Sequence, residues 1–305
     1  MIDTIRIGTR GSALALAQTY ITSKLLNSLK PGLVTKIKII KTSGDIHQNI
    51  SLATIGGKGL FIKEIEEALL QDEIDIAIHS MKDVPIDLPD RLTIAAIPAR
   101  EDVRDAFLCK DHDGWNSLPP GSIIGTSSLR RASQILHLRP HWIIKELRGN
   151  IDTRWKKLEH GDYHGILLAV AGLKRLRLLS EFVYYLDPFE FIPAIGQGAL
   201  GIEIMKDKNE LLDLVLQIND PVSSYTVTAE RAFLKKLGGG CHSCLGAYAS
   251  INATKITIIG FVGSPDGKTM LQDSSTADAG ISAEDIGFAL ADKLLARGAQ
   301  GLLCG

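Results

Sequence analysis

Apolar residues recur through the first two thirds of the chain in two alternating rhythms, short compact runs and longer stretches at helical spacing. That alternation predicts an α/β layer fold, because buried strands are near-continuously apolar while covering helices show one apolar stripe. Ile5–Gly8 reads as a buried strand. A helix follows from Ser12 toward Leu29, with Ser12 suited to cap it and Leu14, Ala17, Ile21, Leu25 and Leu29 near one face. Lys36–Lys41 alternates like a strand, Leu60–Leu70 repeats its apolar positions at helical spacing, and Ile74–Ile78 is again a compact strand. The glycine-rich, weakly periodic segment 43–59 has the length and texture of an active-site lid or a disordered loop.

The pattern echoes itself. Ile7-Gly8-Thr9, a strand end before a serine-containing helix start, matches Ile124-Gly125-Thr126 before Ser127 and Ser128. Asp75–His79 leading into Met81-Lys82-Asp83 matches Gly165–Val170 leading into Leu173-Lys174-Arg175. Two related α/β lobes around a cleft, with ligand groups at strand ends, account for both echoes. Pro98 to Arg104 and the segment near Pro193 are the expected crossings. Beyond Pro221 the texture changes to a helix over 222–237, strands at Ala247–Ile251, Lys255–Val262 and Thr269–Gln272, and a helix from Ala283 to Ala296. This predicts a small C-terminal α+β domain with an antiparallel sheet.

At 305 residues the chain has room for two or three domains. Its net charge of −1 provides no global attraction to nucleic acid or acidic lipid, so local arginine and lysine clusters must carry any anion binding. The longest near-continuous apolar run, Ile166 to Leu173, is too short to span a bilayer, and the N-terminus has no secretion-signal pattern. With four cysteines and no such signal, the expectation is a cytoplasmic protein with reduced thiols, and a monomer.

Chemistry-bearing residues gather at the predicted strand ends. Thr9-Arg10-Gly11-Ser12 and Thr126-Ser127-Ser128-Leu129-Arg130-Arg131 each place hydroxyls, backbone N–H groups and arginines at a helix start, an arrangement that attracts anions. Each taken alone also reads as a cap with solvated charge. Arg148, Gly149 and Arg154 repeat the theme at another strand-to-helix junction, and Lys58 sits in Gly56-Gly57-Lys58-Gly59, which lacks the spacing of a nucleotide-binding P-loop. With Lys82, Lys174 and Arg175 these cations suit a ligand bearing several carboxylates. Asp83 is the exception, a carboxylate placed to stabilise a cation or move a proton, or else a turn residue. Cys241-His242-Ser243-Cys244 follows three glycines and reads as a redox pair, half a zinc site, or one accessible nucleophile beside a second thiol. No second close pair completes a zinc site, and Cys109 in the strand-like Asp105–Cys109 reads as packing.

Taken together these residues resemble the hydroxymethylbilane synthase family, also called porphobilinogen deaminase. The resemblance runs through essentially the whole chain. It rests on seven motifs in order: Gly56-Gly57-Lys58-Gly59-Leu60-Phe61, His79-Ser80-Met81-Lys82-Asp83-Val84-Pro85, Gly125 to Arg131, Leu147-Arg148-Gly149-Asn150, Ala169 to Leu176, Gly196-Gln197-Gly198-Ala199 and Gly239-Gly240-Cys241. It implies an α/β fold of two periplasmic-binding-protein-like domains around a cleft, residues 1–98 with 199–218 and residues 99–198. A small C-terminal α+β domain, 219–305, would carry the cofactor cysteine. The family deaminates four porphobilinogen molecules and joins them head to tail into a linear tetrapyrrole for porphyrin and haem synthesis. By resemblance, a dipyrromethane primer is held on Cys241 by a thioether. The resemblance likewise implies that Asp83 is the catalytic carboxylate, facing the positive charge that appears as ammonia leaves. Arg10, Ser12, Lys58, Lys82, Thr126, Ser127, Ser128, Arg130, Arg131, Arg148, Gly149, Arg154, Arg175 and Gln197 bind cofactor and substrate carboxylates, with no metal, nucleic acid or membrane involved.

The chain departs from the family where a proline usually stands three residues after the attachment cysteine and Cys244 stands here. The rival readings are a cytosolic two-lobe binding or sensor protein for a polycarboxylate, and a thiol-redox module resting on the cysteine pair alone.

Overall fold

The computed structural model describes residues 2–46, 62–110, 114–179, 182–239, 243–278 and 280–303. In chain order the strands are β1 (Thr4–Thr9), β2 (Val34–Ile39), β3 (Ile76–Ser80), β4 (Leu92–Ala96), β5 (Asp105–Leu108), β6 (Ile123–Gly125) and β7 (Ile143–Lys145). They continue with β8 (Gly165–Ala169), β9 (Val183–Tyr185), β10 (Leu200–Met205), β11 (Leu245–Asn252), β12 (Lys255–Gly263) and β13 (Met270–Asp278). The chain forms two compact units, residues 1–101 with 199–224, and residues 102–198 with 225–305.

The first unit holds a five-stranded sheet in the order β2-β1-β3-β10-β4, the second a five-stranded sheet in the order β7-β6-β8-β5-β9. In each sheet the first three strands of that order, β2-β1-β3 and β7-β6-β8, are parallel. The strand that follows a crossing, β10 or β5, inserts antiparallel beside the third. The repeated order makes β1 the counterpart of β6 and β3 the counterpart of β8, the two pairs whose sequences echo. These are two α/β lobes of matching strand order. The antiparallel sheet β11-β12-β13, in the second unit, is backed by the helix Ala283–Ala296.

The inner strands of the first sheet are covered on both faces, as in parallel-type sheets, while the edge strand β2 is largely exposed. Ile5, Ile7, Ile76, Ile78, Ile202 and Ile204 pack with Leu26 on one face. Ala77 and Met205 pack with Ile65, Ala68 and Leu69 of the helix Lys63–Leu70 on the other.

The helix Ala13–Leu29 corrects the expectation drawn from its apolar stripe. Ile21, Leu25 and Leu29 are exposed, while Gln18, Thr19, Thr22, Ser23 and Leu26 are buried. The polar face goes inward because each of its side chains finds a partner there. Thr19 donates to the Ala15 carbonyl at 2.9 Å and Thr22 to Gln18 at 3.2 Å. Ser23 and Thr35 share a 2.6 Å bond, and Gln18 Nε2 donates to Ser80 Oγ at 2.9 Å. A satisfied buried bond contributes about 0.5–1.5 kcal/mol, so a polar face of this kind need not be expelled. The remaining predicted strands and helices in the described residues agree within a few residues, except that β13 runs six residues beyond the predicted Gln272, to Asp278; of the expected loop 43–59, residues 47–59 lie outside the described residues.

Candidate active site

In the first unit, β1 ends at Thr9 and passes through Arg10 and Gly11 to Ser12, whose Oγ accepts from the Ala15 N–H at 3.2 Å and caps the helix. Arg10 is held by Asp45, its Nε 3.2 Å from both carboxylate oxygens and its second nitrogen 2.5 Å from one. Burial pushes the Asp45 carboxyl up, and bonds from Arg10 and Thr42 outweigh it, so Asp45 titrates below its ordinary range. From the far side, β3 runs into a single tight turn, Met81–Asp83. Met81 is buried and anchors that turn, its N–H donating to the Ala199 carbonyl at 3.0 Å. A Cβ at Gly201 would lie 2.3 Å from the Met81 sulfur, so the neighbouring strand needs glycine there. Anchored in this way, the turn leaves Asp83 exposed and Lys82 half-exposed.

Arg10, Ser12, Gln18, His79, Ser80 and Asp83 line one cavity of about 80 Å³, backed by Ile62, Ile65 and Ile78. A whole small molecule needs roughly 300–1,000 Å³. This is a notch too small for a whole small molecule, with Arg10 and Asp83 among its lining.

In the second unit the arginines gather on a carboxylate that sequence reasoning passed over. Asp105, at the start of β5, is fully buried. Its Oδ2 accepts from Arg130 at 2.7 Å, and its Oδ1 accepts from Arg131 at 2.6 and 3.0 Å and from Gln197 at 3.1 Å. Arg130 also donates to the Ile192 carbonyl at 2.6 Å, and Arg131 to Leu167 at 3.0 Å. Both arginines ride on the helix Leu129–Leu138, which Ser128 caps through the Arg131 N–H. Thr126 Oγ1 accepts from the Ser128 N–H at 3.1 Å, and Ser127 donates to the Leu147 carbonyl at 2.6 Å. Two buried guanidiniums against one carboxylate leave an excess of positive charge. The excess reaches Arg154, which burial and the charge of Arg131 lower to about 10.

Arg154 Nε donates to the Gly149 carbonyl at 2.8 Å, within a turn that only glycine suits. Gly149 has φ +111°, and a Cβ there would lie 2.7 Å from Thr153 Cβ. Arg148 pairs with Glu146 at 2.6 Å. Arg175 donates to the Gly198 carbonyl at 2.6 Å, beside Gln197. The structure therefore brings together Arg10, Ser12 and Asp83 in one lobe, and Arg130, Arg131, Gln197 and Arg154 in the other. Lys58 and Cys241 lie outside the described residues. Cys244 is buried, and burial pushes its thiol up against a bond with Ser133, which makes it a poor nucleophile at neutral pH. Cys109 is buried in the aromatic core of the second lobe, as packing requires.

Asp105 was hidden in the sequence because a lone Asp opening an apolar strand carries no signal of its partners, Arg130 and Arg131, some 25 positions on. Ser80 and Gln18 are contributed by a strand end and a helix face that no motif links.

Among the described residues, then, the fold defines a two-lobe α/β protein with a carboxylate-lined notch in one lobe and two buried arginines on one carboxylate in the other. Residues 5–213 match the family model "Porphobilinogen deaminase, dipyromethane cofactor binding domain", and residues 224–296 match "Porphobilinogen deaminase, C-terminal domain". The porphobilinogen deaminase of Syntrophotalea carbinolica is 46% identical over 299 residues, covering 98% of this chain and 95% of that protein. That of Bacillus velezensis is 47% identical over 302 residues, covering 98% and 96%. Among solved structures, the methionine-binding protein MetQ aligns with a TM-score of 0.46 at 13% identity, covering 72% of this chain and 90% of that one. The chain belongs to the porphobilinogen deaminase family.

Proposed function

We propose that this chain is a transferase that deaminates porphobilinogen and joins four molecules head to tail into the linear tetrapyrrole hydroxymethylbilane. The observation that carries the reading is the Asp83 carboxylate at the rim of a notch shared with Arg10 and Ser12. Each pyrrole brings an acetate and a propionate, and each needs cations. Arg10, Ser12, Lys58 and Lys82 serve these carboxylates from the first lobe. Thr126, Ser127, Ser128, Arg130, Arg131, Arg148, Gly149, Arg154, Arg175 and Gln197 serve them from the second.

The residues fit a bound dipyrromethane on charge grounds. Arg130, Arg131 and Arg154 outnumber Asp105, and an anionic ligand offsets the burial and, behind it, the Arg131 charge that lower Arg154. When attached to Cys241, the dipyrromethane supplies a nucleophilic pyrrole carbon as primer. Asp83 does the protein's share of the deamination. Ammonia leaves with the C–N electron pair, positive charge spreads onto the substrate's pyrrole nitrogen, and the carboxylate accepts the pyrrole N–H while opposing that charge. The small notch suits a ring edge rather than a ring. Residues 1–98 with 199–218 would carry this deamination step, 99–198 the carboxylates, and 219–305 the cofactor thiol. In the described residues no helix is long and apolar enough to cross a membrane, and we place the enzyme in the cytoplasm as a monomer.

Two measurements test the reading. Purified protein incubated with porphobilinogen should release ammonia and form hydroxymethylbilane. Its intact mass should exceed the sequence mass by two linked pyrrole units. A protein of unmodified mass that binds porphobilinogen without releasing ammonia would instead be the two-lobe binding protein.

A further inference from the structure

Behind the notch, β3 and β10 run antiparallel, with His79 opposite Gly201 and Ala77 opposite Glu203. Diagonal neighbours on one face of such a pair are within reach of long side chains, and His79 Nε2 lies 2.8 Å from Glu203 Oε2. Their side chains are 4% and 0% exposed. The helix Lys63–Leu70 covers this face and brings in a second carboxylate, Glu66. Glu203 Oε1 and Glu66 Oε1 are both buried and have no hydrogen-bond partner among the described residues. Among the described residues, two carboxylates and one imidazole thus meet on this covered face with a single hydrogen bond, His79 to Glu203, between them. An ionised carboxylate left so is costly, and two side by side are costlier, unless one holds a proton.

We propose that Glu66, His79 and Glu203 form one buried proton-holding unit that sets the negative charge behind the Asp83 notch, with Glu66 as a positioning residue acting through His79. The unit reaches the notch because His79 both lines it and bonds Glu203, and because Ser80 and the Met81–Asp83 turn follow directly in the chain. It rests on the deamination reading above. Burial first, then the Glu203 charge, raises Glu66 to about 7, and His79 opposes them. Among the described residues, the other charged groups on the elements packed here are Arg10, Asp45, Lys82 and Asp83 on the notch side and Lys63, Glu64 and Glu67 on the covering helix.

The sign follows from the raised value. The protonated form is favoured by folding, so the stability Glu66 contributes is complete below about pH 4.3 and is lost as pH rises through about 7. The rate moves the other way. Ionised Glu66 adds negative charge behind the site where the substrate's pyrrole becomes cationic, and one more unit charge acting through the protein is worth up to roughly tenfold in rate.

Glu66→Gln fixes the neutral form. Its kcat should lose the rise centred near pH 7 and stay, up to about tenfold low, at the wild-type acid plateau with KM unchanged. Its stability above pH 7 should exceed that of wild type. Infrared spectra of the wild-type protein should show a protonated-carboxyl band that titrates away near pH 7 and is missing from Glu66→Gln. A wild-type protein without that band, a variant that retains it, or a variant whose kcat still rises through pH 7 overturns the proposal. A wild type that releases no ammonia fails the deamination reading instead, since the infrared and unfolding measurements need no substrate.

Discussion

Replacing Asp105 with asparagine removes the negative charge held between Arg130 and Arg131 while keeping the side chain's shape. The carboxylate accepts four hydrogen bonds, three on Oδ1 and one on Oδ2. Asparagine keeps one acceptor oxygen and turns an NH₂ group toward a guanidinium, so a charge-assisted bond becomes a donor–donor clash. Both arginines, 5% and 6% exposed, are then left as like charges without compensation. Breaking a buried pair in this way costs about 3–5 kcal/mol, at least ~10²-fold in the unfolding constant. Denaturant unfolding at pH 7 measures it directly. The pH dependence supplies a second check. Burial pushes the Asp105 carboxyl up, but the two guanidiniums outweigh it and hold it below its ordinary range. Its stabilisation is therefore complete above about pH 4, the unfolded value, and is lost as the pH falls through the lower folded value. The gap between wild type and variant should be full at pH 7 and pH 5 and should close only in stronger acid. A loss under about 1 kcal/mol at pH 7 would refute the view that one carboxylate compensates both arginines.

Asp83→Asn should lower kcat by about 10²–10³ with unfolding unchanged, since Asp83 is exposed and its turn is anchored by Met81; near-normal turnover would remove it from the chemistry. Cys241→Ser should abolish the mass increment of two pyrrole units and Cys244→Ser should keep it, read by intact mass spectrometry; a dipyrrole on Cys244 would reverse the assignment. Gly149→Ala should cost about 1–3 kcal/mol of stability, because alanine is strained at φ +111° and its Cβ would crowd Thr153.

Much of this protein is written locally. The apolar runs mark β1, β3 and β8, serines 12 and 128 cap the helices they precede, and the strand-end motifs name Arg10, Asp83 and Arg131 as candidates. These are legible because a strand's burial, a helix cap and a turn are decided by residues within a few positions of one another. What the tertiary structure decided is pairing across long separations. Sheet order brings Glu203 to His79 over 124 positions, and Gln197 to Asp105 over 92. It also turns Gln18, Thr19 and Thr22 inward while Ile21 and Leu25 face outward. A polar group is stable in the core only when a partner meets it there, and the chain's local pattern does not say which distant residue the fold will deliver.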